Sequence, residues 1–459
     1  MQRKLILRTV LTASALLIAI QIGQPAGNIG ISHVYAEKPV ISIGIGNVGI
    51  QTPIVQPTWS AQVDKWDDYY LTSNYTTTGE GKIFTLRDRK LIALNAQTGK
   101  TVWTFKDEID IMRPTFVYRE GNIYGTLSDG SLYALSATSG KKLWQSSVRI
   151  ENPNAIEVFG DTLYALIDNY TFAVHVKTGK QLWVNTWSPK TTDPQQAYYA
   201  SLGIMDAGDV VLRNITMYEA AQTTRQLNAI DKKTGKILWG MNNEDTPFKI
   251  EGGLAYLIKN NNQPLDEDTE RSITFTVINV KTGEVKGSRI YRWNVNDGSS
   301  IDNDTRTQTY LDGNDLYIHQ NETIARYDFK NYKPDGKPLQ TYSKPHFDLS
   351  SYPLNKVHRG RILFGNTQYG ALFSIKKVNG QYMSWTGDNP SAKTVVYGKG
   401  VYMAQTDGIL HAVDFDSGKP QFRVKTGARQ YENLFKEDGF LIIQTPDKLI
   451  GVKLPAALK

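Results

Sequence analysis

The chain of 459 residues contains no cysteine. Disulfide bonds are therefore excluded as a source of stability, whatever the redox state of the compartment. A lipid-anchored cysteine behind a signal segment is excluded as well. Stability has to come from hydrophobic packing, for which a chain of this length can form an ample core.

A strong charge excess is also absent. The formal net charge is +7, and leaving out the basic residues Arg3, Lys4 and Arg8 of the N-terminal segment, which has no acidic residue, reduces it to +4. Nucleic-acid binding would require clustered lysine and arginine, so we expect no nucleic-acid partner. A mild positive charge suits loose, salt-sensitive association with anionic wall polymers.

Helical periodicity over ten or more residues is missing beyond the N-terminus. There a basic start precedes the apolar run 10–22, which is shorter than the roughly 18 to 20 residues that span a bilayer. Val34 and Ala36 fit the small-residue rule for cleavage, which predicts a signal peptide over residues 1–36. An uncleaved membrane anchor is the alternative. We expect a secreted protein, extracellular or associated with the cell wall, with no stable membrane insertion after cleavage.

A repeated motif dominates the remaining chain. Leu91–Trp103 is a short apolar run, a Thr-Gly turn and a second run that ends on tryptophan. An alanine lies six residues before the glycine and the tryptophan four after it. The same spacing returns at Ala134, Gly140 and Trp144, at Ala173, Gly179 and Trp183, and at Ala229, Gly235 and Trp239. Fixed spacing at this recurrence predicts a repeat architecture.

Each repeat is predicted to be four strands. A second apolar run precedes each alanine strand, and tight turns such as Asp129-Gly130 and Asp407-Gly408 join the two as hairpins require. Repeated four-stranded meanders form the blades of a β-propeller, so the fold class is all-β. Each Trp is expected to fill the gap between adjacent blades, and Asp231 and Asp414 to steady their turns through hydrogen bonds.

The number of blades follows from the turns and the chain ends. Eight turns occur, and the last four depart from the motif. Gly336 has its alanine, Ala325, eleven residues ahead instead of six. The final two strands lack a closing Trp strand, which 57–63 near the start of the chain supplies. We therefore predict eight or nine blades, with nine from the repeat count, and a last blade completed by the N-terminal strand.

At these residues the sequence resembles the PQQ-like repeat (Ala-Leu-Asp-x-x-Thr-Gly-Lys-x-x-Trp) of quinoprotein-type β-propellers. That family includes quinoprotein alcohol dehydrogenases and the propeller lipoprotein of the bacterial outer-membrane barrel assembly machine. The resemblance covers about residues 57–454 and implies one propeller domain. A leader or linker, 37–56, precedes this domain and a short tail, 455–459, follows it. The resemblance implies no single function, because propellers include enzymes, scaffolds and lectins.

Long connections mark the candidate binding surface. The excess residues lie in Trp187–Ala200, Met217–Thr224, Asn260–Glu270 and Trp293–Asp304. Insertions in repeat proteins lie in loops, and clustered ones often form the binding face; solvated loops without function are the alternative. We predict a binding surface on the loops of blades four to six, with exposed loop aromatics as its residues: Trp187, Tyr198, Tyr199 and Trp293.

No catalytic motif stands out. The segment Asn296–Asp304 is rich in Asn and Asp, but Val295 and Trp293 occupy positions where an EF-hand needs oxygen ligands, so a turn is preferred to a calcium site. Quinoprotein dehydrogenases of the family pair a vicinal cysteine disulfide with an Asp base and a calcium held by Asn and Glu. Because the chain has no cysteine, we expect no catalytic, cofactor-binding or metal-binding residue, with neither PQQ nor calcium bound.

These observations favour an exported, non-enzymatic scaffold that binds a protein partner or a cell-wall glycan, and we expect it to be a monomer. A calcium- and PQQ-dependent dehydrogenase is the first alternative. A carbohydrate-binding or carbohydrate-cleaving propeller is the second, and cleavage would need paired carboxylates about 5 to 10 Å apart.

Overall fold

The computed structural model describes most of the chain from Ile41 onward. The described residues are 41–44, 52–65, 76–109, 116–151, 153–188, 198–219, 222–259, 270–294, 309–320, 323–343, 351–366 and 370–459. They form 38 β-strands and one 3₁₀ turn, Ala456–Leu458, with no α-helix among them. Within these residues no helix has the length and the apolar character that a membrane span requires. The predicted signal peptide 1–36 lies outside the described residues.

The strands form nine sheets in chain order, which are the blades. Strands of the first five blades have the following bounds: blade 1, β4 Thr77–Gly79, β5 Lys82–Arg87, β6 Lys90–Asn95 and β7 Thr101–Glu108; blade 2, β8 Phe116–Arg119, β9 Asn122–Thr126, β10 Ser131–Ser136 and β11 Lys142–Arg149; blade 3, β12 Ala155–Phe159, β13 Thr162–Ile167, β14 Tyr170–His175 and β15 Gln181–Thr186; blade 4, β16 Tyr198–Ala207, β17 Val210–Glu219, β18 Gln222–Asp231 and β19 Ile237–Asn242; blade 5, β20 Lys249–Glu251, β21 Leu254–Lys259, β22 Glu270–Asn279 and β23 Val285–Asn294.

The remaining four blades follow the same plan. Their strands are, for blade 6, β24 Thr309–Asp312, β25 Asp315–Gln320, β26 Thr323–Asp328 and β27 Gln340–Ser343; for blade 7, β28 Ser351–His358, β29 Arg361–Asn366, β30 Leu372–Lys376 and β31 Tyr382–Thr386; for blade 8, β32 Ser391–Tyr397, β33 Gly400–Gln405, β34 Ile409–Asp414 and β35 Pro420–Lys425; for blade 9, β36 Leu434–Glu437, β37 Phe440–Gln444, β38 Lys448–Lys453 and, from the chain start, β3 Trp59–Gln62.

Every blade is an antiparallel meander, and its first strand is innermost. The first strands of adjacent blades, such as β4 and β8, contact one another around the centre, whereas the fourth strands lie at the outer rim. The buried residues between consecutive blades form the core as a series of apolar clusters, each shared by two sheets. The predicted all-β propeller is confirmed, and nine is the number of blades among the described residues.

The ring is closed by the N-terminal strand, as predicted. β3 pairs antiparallel with β38, with Trp59 opposite Gly451 and Gln62 opposite Lys448. The N-terminal strand thus supplies the fourth strand of blade 9, where the two ends of the chain meet. Trp59 is 9% exposed and packs against the core that blades 9 and 1 share.

Two further strands precede β3, both within the segment predicted as a leader. β1, Ile41–Gly44, pairs parallel with β31 on the outer edge of blade 7, and β2, Ile54–Val55, pairs parallel with β35 on blade 8. β1 and β2 thus lie at the rim of blades 7 and 8, and β3 lies in blade 9. Each of β1 and β2 adds a fifth strand to its blade and covers the outer edge.

The repeated tryptophan links each blade to the next. Trp103 lies against Gly140 of blade 2 so closely that a Cβ on this glycine would lie 2.5 Å from the indole ring. Its Nε1 donates a hydrogen bond to the carbonyl of Ala137, at 3.0 Å. The glycine has φ +68°, a conformation that also favours glycine. The same pair of contacts, called here the Trp–Gly contact, is made by Trp59, Trp144, Trp183 and Trp239 with Gly99, Gly179, Gly235 and Gly283.

Where the tryptophan is lost, other side chains reach the same acceptor. The acceptor carbonyl belongs to the residue after the third strand, which is Phe329 in blade 6 and Lys377 in blade 7. Arg289 of blade 5 donates from Nη1 to the Phe329 carbonyl, and Tyr342 of blade 6 donates to the Lys377 carbonyl at 3.1 Å. Between blades 7 and 8, Trp385 stacks on Phe415 with ring centroids 4.8 Å apart. Both degenerate repeats between residues 245 and 345 are therefore complete blades.

The turn aspartates behave as predicted. Asp231 Oδ1 accepts hydrogen bonds from the backbone N–H of Thr234 at 2.7 Å and from its hydroxyl at 2.7 Å. Asp414 accepts equivalent bonds from Ser417. These bonds hold the pKa of the Asp231 carboxyl below its usual value, so it stays ionised as a turn-stabilising group.

Candidate functional site

The antiparallel meander gives the ring two different faces. The connections between strands one and two and between strands three and four, which include the Thr-Gly turns, lie on one face, called here the turn face. The connections between strands two and three and those from blade to blade lie on the opposite face, called here the loop face.

All four predicted insertions belong to the loop face. Trp187–Ala200 joins β15 to β16, Met217–Thr224 joins β17 to β18, and Asn260–Glu270 joins β21 to β22. Trp293–Asp304 begins the connection from blade 5 to blade 6. Their central parts, 189–197, 220–221, 260–269 and 295–308, lie outside the described residues, and the Asn296–Asp304 segment weighed as a calcium loop lies there too.

Blades 4 and 5 rise above their neighbours on this face. The second and third strands of blade 4, β17 and β18, and the third and fourth strands of blade 5, β22 and β23, have ten residues each. In the other seven blades the second and third strands have five or six residues and the fourth strands four to eight. Four additional residues extend a strand by about 13 Å. We call these extensions the raised edge: residues 215–219 and 222–227 of blade 4, and 270–273 and 291–294 of blade 5.

Trp187 is part of the support of the raised edge. The prediction that it is an exposed aromatic is wrong: it is 5% exposed and packs on Ile215 and Met217. Its Nε1 donates to Gln226 Oε1 at 2.6 Å. The indole supplies an apolar floor beneath the blade 4 hairpin on the side of blade 3, whose strands β13 and β14 have only six residues each.

The other three predicted aromatics have different surroundings. Tyr199 is half-buried and meets the Trp187 ring edge-on, with centroids 6.2 Å apart. Tyr198 pairs with Tyr218 in the backbone ladder, and its side chain lies outside the described part. Trp293 is half-buried against the aromatic core of blades 5 and 6, and its Nε1 has no hydrogen-bond partner among the described residues. Whether any of them contacts a ligand stays a prediction.

The opposite flank of the raised edge is held by polar contacts. Arg225 Nη1 binds Asp245 Oδ1 at 2.7 Å, and Asn214 Nδ2 donates to the Glu244 carbonyl at 2.6 Å. Both acceptors lie in the connection from blade 4 to blade 5. Burial raises the pKa of the Glu244 carboxyl, against the opposing charge of Lys259. Anchored on both sides, the blade 4 hairpin is a firmly positioned surface feature.

A second feature lies between blades 5 and 6, where the fourth strand of blade 5, β23, faces the long turn of blade 6. A cleft of about 680 Å³ is lined by Tyr291, Tyr327, Asp328 and the long turn 331–339 of blade 6. Sequence reasoning missed it. The signal was the spacing of eleven positions from Ala325 to Gly336, where the regular repeats have six, which indicates a longer turn between the third and fourth strands.

Titratable groups gather where blades 8 and 9 meet the loop face. Glu432, in the connection between these blades, accepts a hydrogen bond from Gln444 Nε2 at 2.9 Å. Burial raises the pKa of its carboxyl to about 7, although Lys393 acts in the opposite direction. In blade 8, burial lowers the pKa of His411, and Asp388, whose Oδ1 lies 3.5 Å from Nε2, opposes this. The Glu432 carboxyl, with a pKa of about 7, can exchange a proton near neutral pH, whereas the pKa of His411 lies below its usual value.

The residues do not fit the quinone cofactor that the resemblance implies. The donor set combines a vicinal cysteine pair, an Asp base and a calcium held by Asn and Glu, and the sequence has no cysteine. Across the described ranges no group of three His, Asp or Glu side chains is arranged to hold a metal ion. We therefore derive no step through a quinone or a metal.

Comparison with known proteins gives one family match. The model of the outer membrane protein assembly factor BamB matches residues 56–196. No curated protein matches the chain in sequence. Among solved structures, BamB from Moraxella catarrhalis is 12% identical with a TM-score of 0.44 and covers 87% of this chain and 98% of its own.

Two dehydrogenases are similar at the same level. A europium-containing methanol dehydrogenase is 14% identical with a TM-score of 0.41, covering 84% of each chain. Quinohemoprotein alcohol dehydrogenase from Comamonas testosteroni is 14% identical with a TM-score of 0.41, covering 87% of this chain and 77% of its own. With TM-scores below 0.5, these neighbours say nothing about the function of the chain. The recurrent Thr-Gly turns and the nine sheets of the described residues make a β-propeller, and the part over residues 56–196 matches a family of PQQ-like repeats.

Proposed function

We propose that the protein is an exported, monomeric scaffold that binds a protein partner at the raised edge of blades 4 and 5, without catalysis. The single observation that carries this proposal is the extension of β17 with β18 and of β22 with β23 on adjacent blades. The blade 4 extension is anchored by Trp187 on one flank and by Arg225 with Asp245 on the other. A closed ring with linked blades changes shape little, so it presents such a surface at low entropic cost.

Export is part of the proposal. It is supported by the basic start, the apolar run and the small residues before Glu37. The matched family description, an outer membrane protein assembly factor, names a protein that acts with other proteins, which is the same general role.

Site-specific photo-crosslinking tests the proposal. A photoreactive residue replaces Thr223, which is exposed at the tip of the blade 4 hairpin, and in a second variant it replaces Ser139, which is exposed on the turn face. We expect a discrete adduct of one size at Thr223 and none at Ser139 in cells that export the protein. Equal labelling at the two positions, or no adduct at Thr223 in the folded protein, would contradict the raised edge as the partner site.

A matched pair of substitutions gives a quantitative version. Thr223→Arg places a long charged side chain on the raised edge, and Ser139→Arg makes the same change on the turn face. Both positions are exposed, so neither change is expected to affect folding by more than about 0.5 kcal/mol. Once the crosslinked partner is purified, Thr223→Arg should weaken its binding at least tenfold and Ser139→Arg should leave it unchanged.

A further inference from the structure

The cleft between blades 5 and 6 is built unlike the other blade interfaces. Gly287 occupies the position where earlier repeats have the tryptophan, and Arg289 makes the inter-blade hydrogen bond instead. Without the indole the interface stays open beneath the long blade 6 turn. The cleft measures about 680 Å³, whereas the one between blades 2 and 3, which Trp144 lines, measures about 360 Å³.

The floor of the cleft holds a polar group that lacks a partner. Tyr291 is 5% exposed, and its hydroxyl has no described partner that meets the geometry of a hydrogen bond, although the Arg289 guanidinium lies close enough to lower its pKa. Burial has the larger effect and raises the pKa of this hydroxyl, so at neutral pH it remains a donor. Leaving a buried hydroxyl unpaired costs folding free energy, and a ligand oxygen in the cleft would remove that cost.

The walls are rigid and partly apolar. The Tyr327 and Tyr332 rings both pack edge-on against Tyr291, with centroids 4.9 and 5.4 Å away. The Tyr332 hydroxyl accepts a hydrogen bond from the Ile290 N–H at 3.0 Å and donates one to its carbonyl, which fastens the turn to the outer strand of blade 5. Leu339 is 57% exposed at the rim. The cleft thus combines hydroxyl donors with C–H surface.

The turn 328–339 carries Lys330, Lys333 and Lys337 against Asp328 and Asp335, so its formal net charge is +1. Lys333 and Lys337 line it and are exposed, and neither forms an ion pair with a described residue that competes with a ligand. The carboxylate of Asp328 is committed within the turn, since it accepts hydrogen bonds from the Asn331 N–H and from Asn331 Nδ2, both at 2.9 Å. Arg289 lies behind the wall, with its guanidinium over the Tyr256 and Phe329 rings.

We propose that this cleft binds a short anionic saccharide, whose charge is a carboxylate or a phosphate. The ammonium groups of Lys333 and Lys337 would bind the anion, and the Tyr291 hydroxyl would donate a hydrogen bond to a ring or hydroxyl oxygen of the sugar. Tyr332 and Leu339 would pack against the C–H face of a pyranose. The volume lies within the range of small-ligand pockets and accommodates two or three sugar units. Tyr291 belongs to the blade 5 part of the raised edge as well as to the cleft, whereas Thr223, where the protein partner is tested, lies on blade 4, so different substitutions test the two proposals.

Isothermal titration calorimetry on the protein from Glu37 onward tests the proposal. The probes are trigalacturonic acid, a sugar phosphate, neutral galactotriose, inorganic phosphate and an acidic hexapeptide, each at low and at physiological salt. We expect the two anionic sugars to bind, galactotriose to bind at least tenfold more weakly, and raised salt to weaken the anionic sugars. The difference between the first two probes shows which anion is preferred.

Variants locate the binding. Tyr291→Phe removes only the hydroxyl and should weaken the anionic sugars about 3- to 10-fold. Lys333→Gln with Lys337→Gln should weaken them about 5- to 10-fold at low salt. The control Lys100→Gln with Lys180→Gln, on exposed Thr-Gly turns of blades 1 and 3, makes the same change in net charge and should have no effect.

The proposal would be overturned if neither anionic sugar bound at concentrations up to about 10 mM. It would also be overturned if none of the cleft variants changed the binding, or if galactotriose bound as tightly as the anionic sugars. Tighter binding of the hexapeptide than of any sugar would overturn it in favour of an acidic protein segment, and tighter binding of inorganic phosphate would reduce it to a simple anion site. Thr223→Arg should leave sugar binding unchanged, so failure here and failure at the raised edge are separable.

Discussion

Replacement of Trp59 tests whether one side chain closes the ring. Trp59 is 9% exposed, its Nε1 donates to the Ala96 carbonyl at 3.0 Å, and its ring lies against Gly99. Trp59→Ala removes this packing and leaves a cavity at the seam between blades 9 and 1, for which about 3–5 kcal/mol is expected. Trp59→Phe keeps most of the ring and removes the donor, for which about 1–2 kcal/mol is expected.

The magnitude can be converted into a melting shift. A ring of about 400 residues has an unfolding entropy near 0.8 kcal/mol/K at about 2.1 cal/mol/K per residue. Trp59→Ala should therefore lower the midpoint by about 4–6 °C and Trp59→Phe by about 1–2 °C, as measured by differential scanning calorimetry. Because Nε1 of Trp385 has no partner among the described residues, Trp385→Phe serves as a control that loses volume and no hydrogen bond.

Two outcomes would refute this reasoning. A Trp59→Ala midpoint within about 1 °C of wild type would show that closure depends on the backbone pairing of β3 with β38 and not on the indole. Equal shifts for Trp59→Phe and Trp59→Ala would show that the hydrogen bond alone accounts for the contribution and that the contact with Gly99 adds nothing.

Three further predictions concern hydrogen bonding, protonation and cofactor. Tyr342→Phe, which removes the donor to the Lys377 carbonyl, should lower the midpoint by about 1–2 °C, and no change would argue against a shared acceptor position. Because the pKa of Glu432 is raised to about 7 in the folded protein, folding stability should fall as the pH rises from about 4.5 through 7. Glu432→Gln should melt about 1–2 °C above wild type at pH 8 and at the same temperature as wild type at pH 4.5. A variant that melts below wild type at pH 8 would contradict the assignment. Saturating pyrroloquinoline quinone with Ca²⁺ should leave the wild-type midpoint unchanged, and a clear rise would favour the dehydrogenase alternative.

The predicted binding residues show how far local patterns reach. Trp187 was placed in a long connection, where an aromatic is expected to be exposed, yet it is buried. Its burial depends on β17 and β18, which have ten residues each where β13 and β14 of blade 3 have six, and which therefore extend past blade 3. Strand length at that position is a property of pairing between segments, and the sequence of residues 187–200 contains no sign of it.

The cleft between blades 5 and 6 is a second feature that local sequence patterns could not predict. The spacing between Ala325 and Gly336 announced a longer turn, and nothing local indicated that Tyr332 would bind the backbone of Ile290 and enclose Tyr291. These residues are more than 35 positions apart, so only the stacking of blade 6 on blade 5 brings them together.

The sequence by itself determined the all-β class, the propeller, the closing strand at Trp59 and the tryptophans as inter-blade residues. Each follows from spacing within one repeat or from a missing strand at one chain end, and such patterns are local. Only the tertiary structure decided that Arg289 and Tyr342 replace lost tryptophans, that β1 and β2 cover blades 7 and 8, and where the cleft lies. Those features depend on contacts between blades, whose geometry arises when the ring closes.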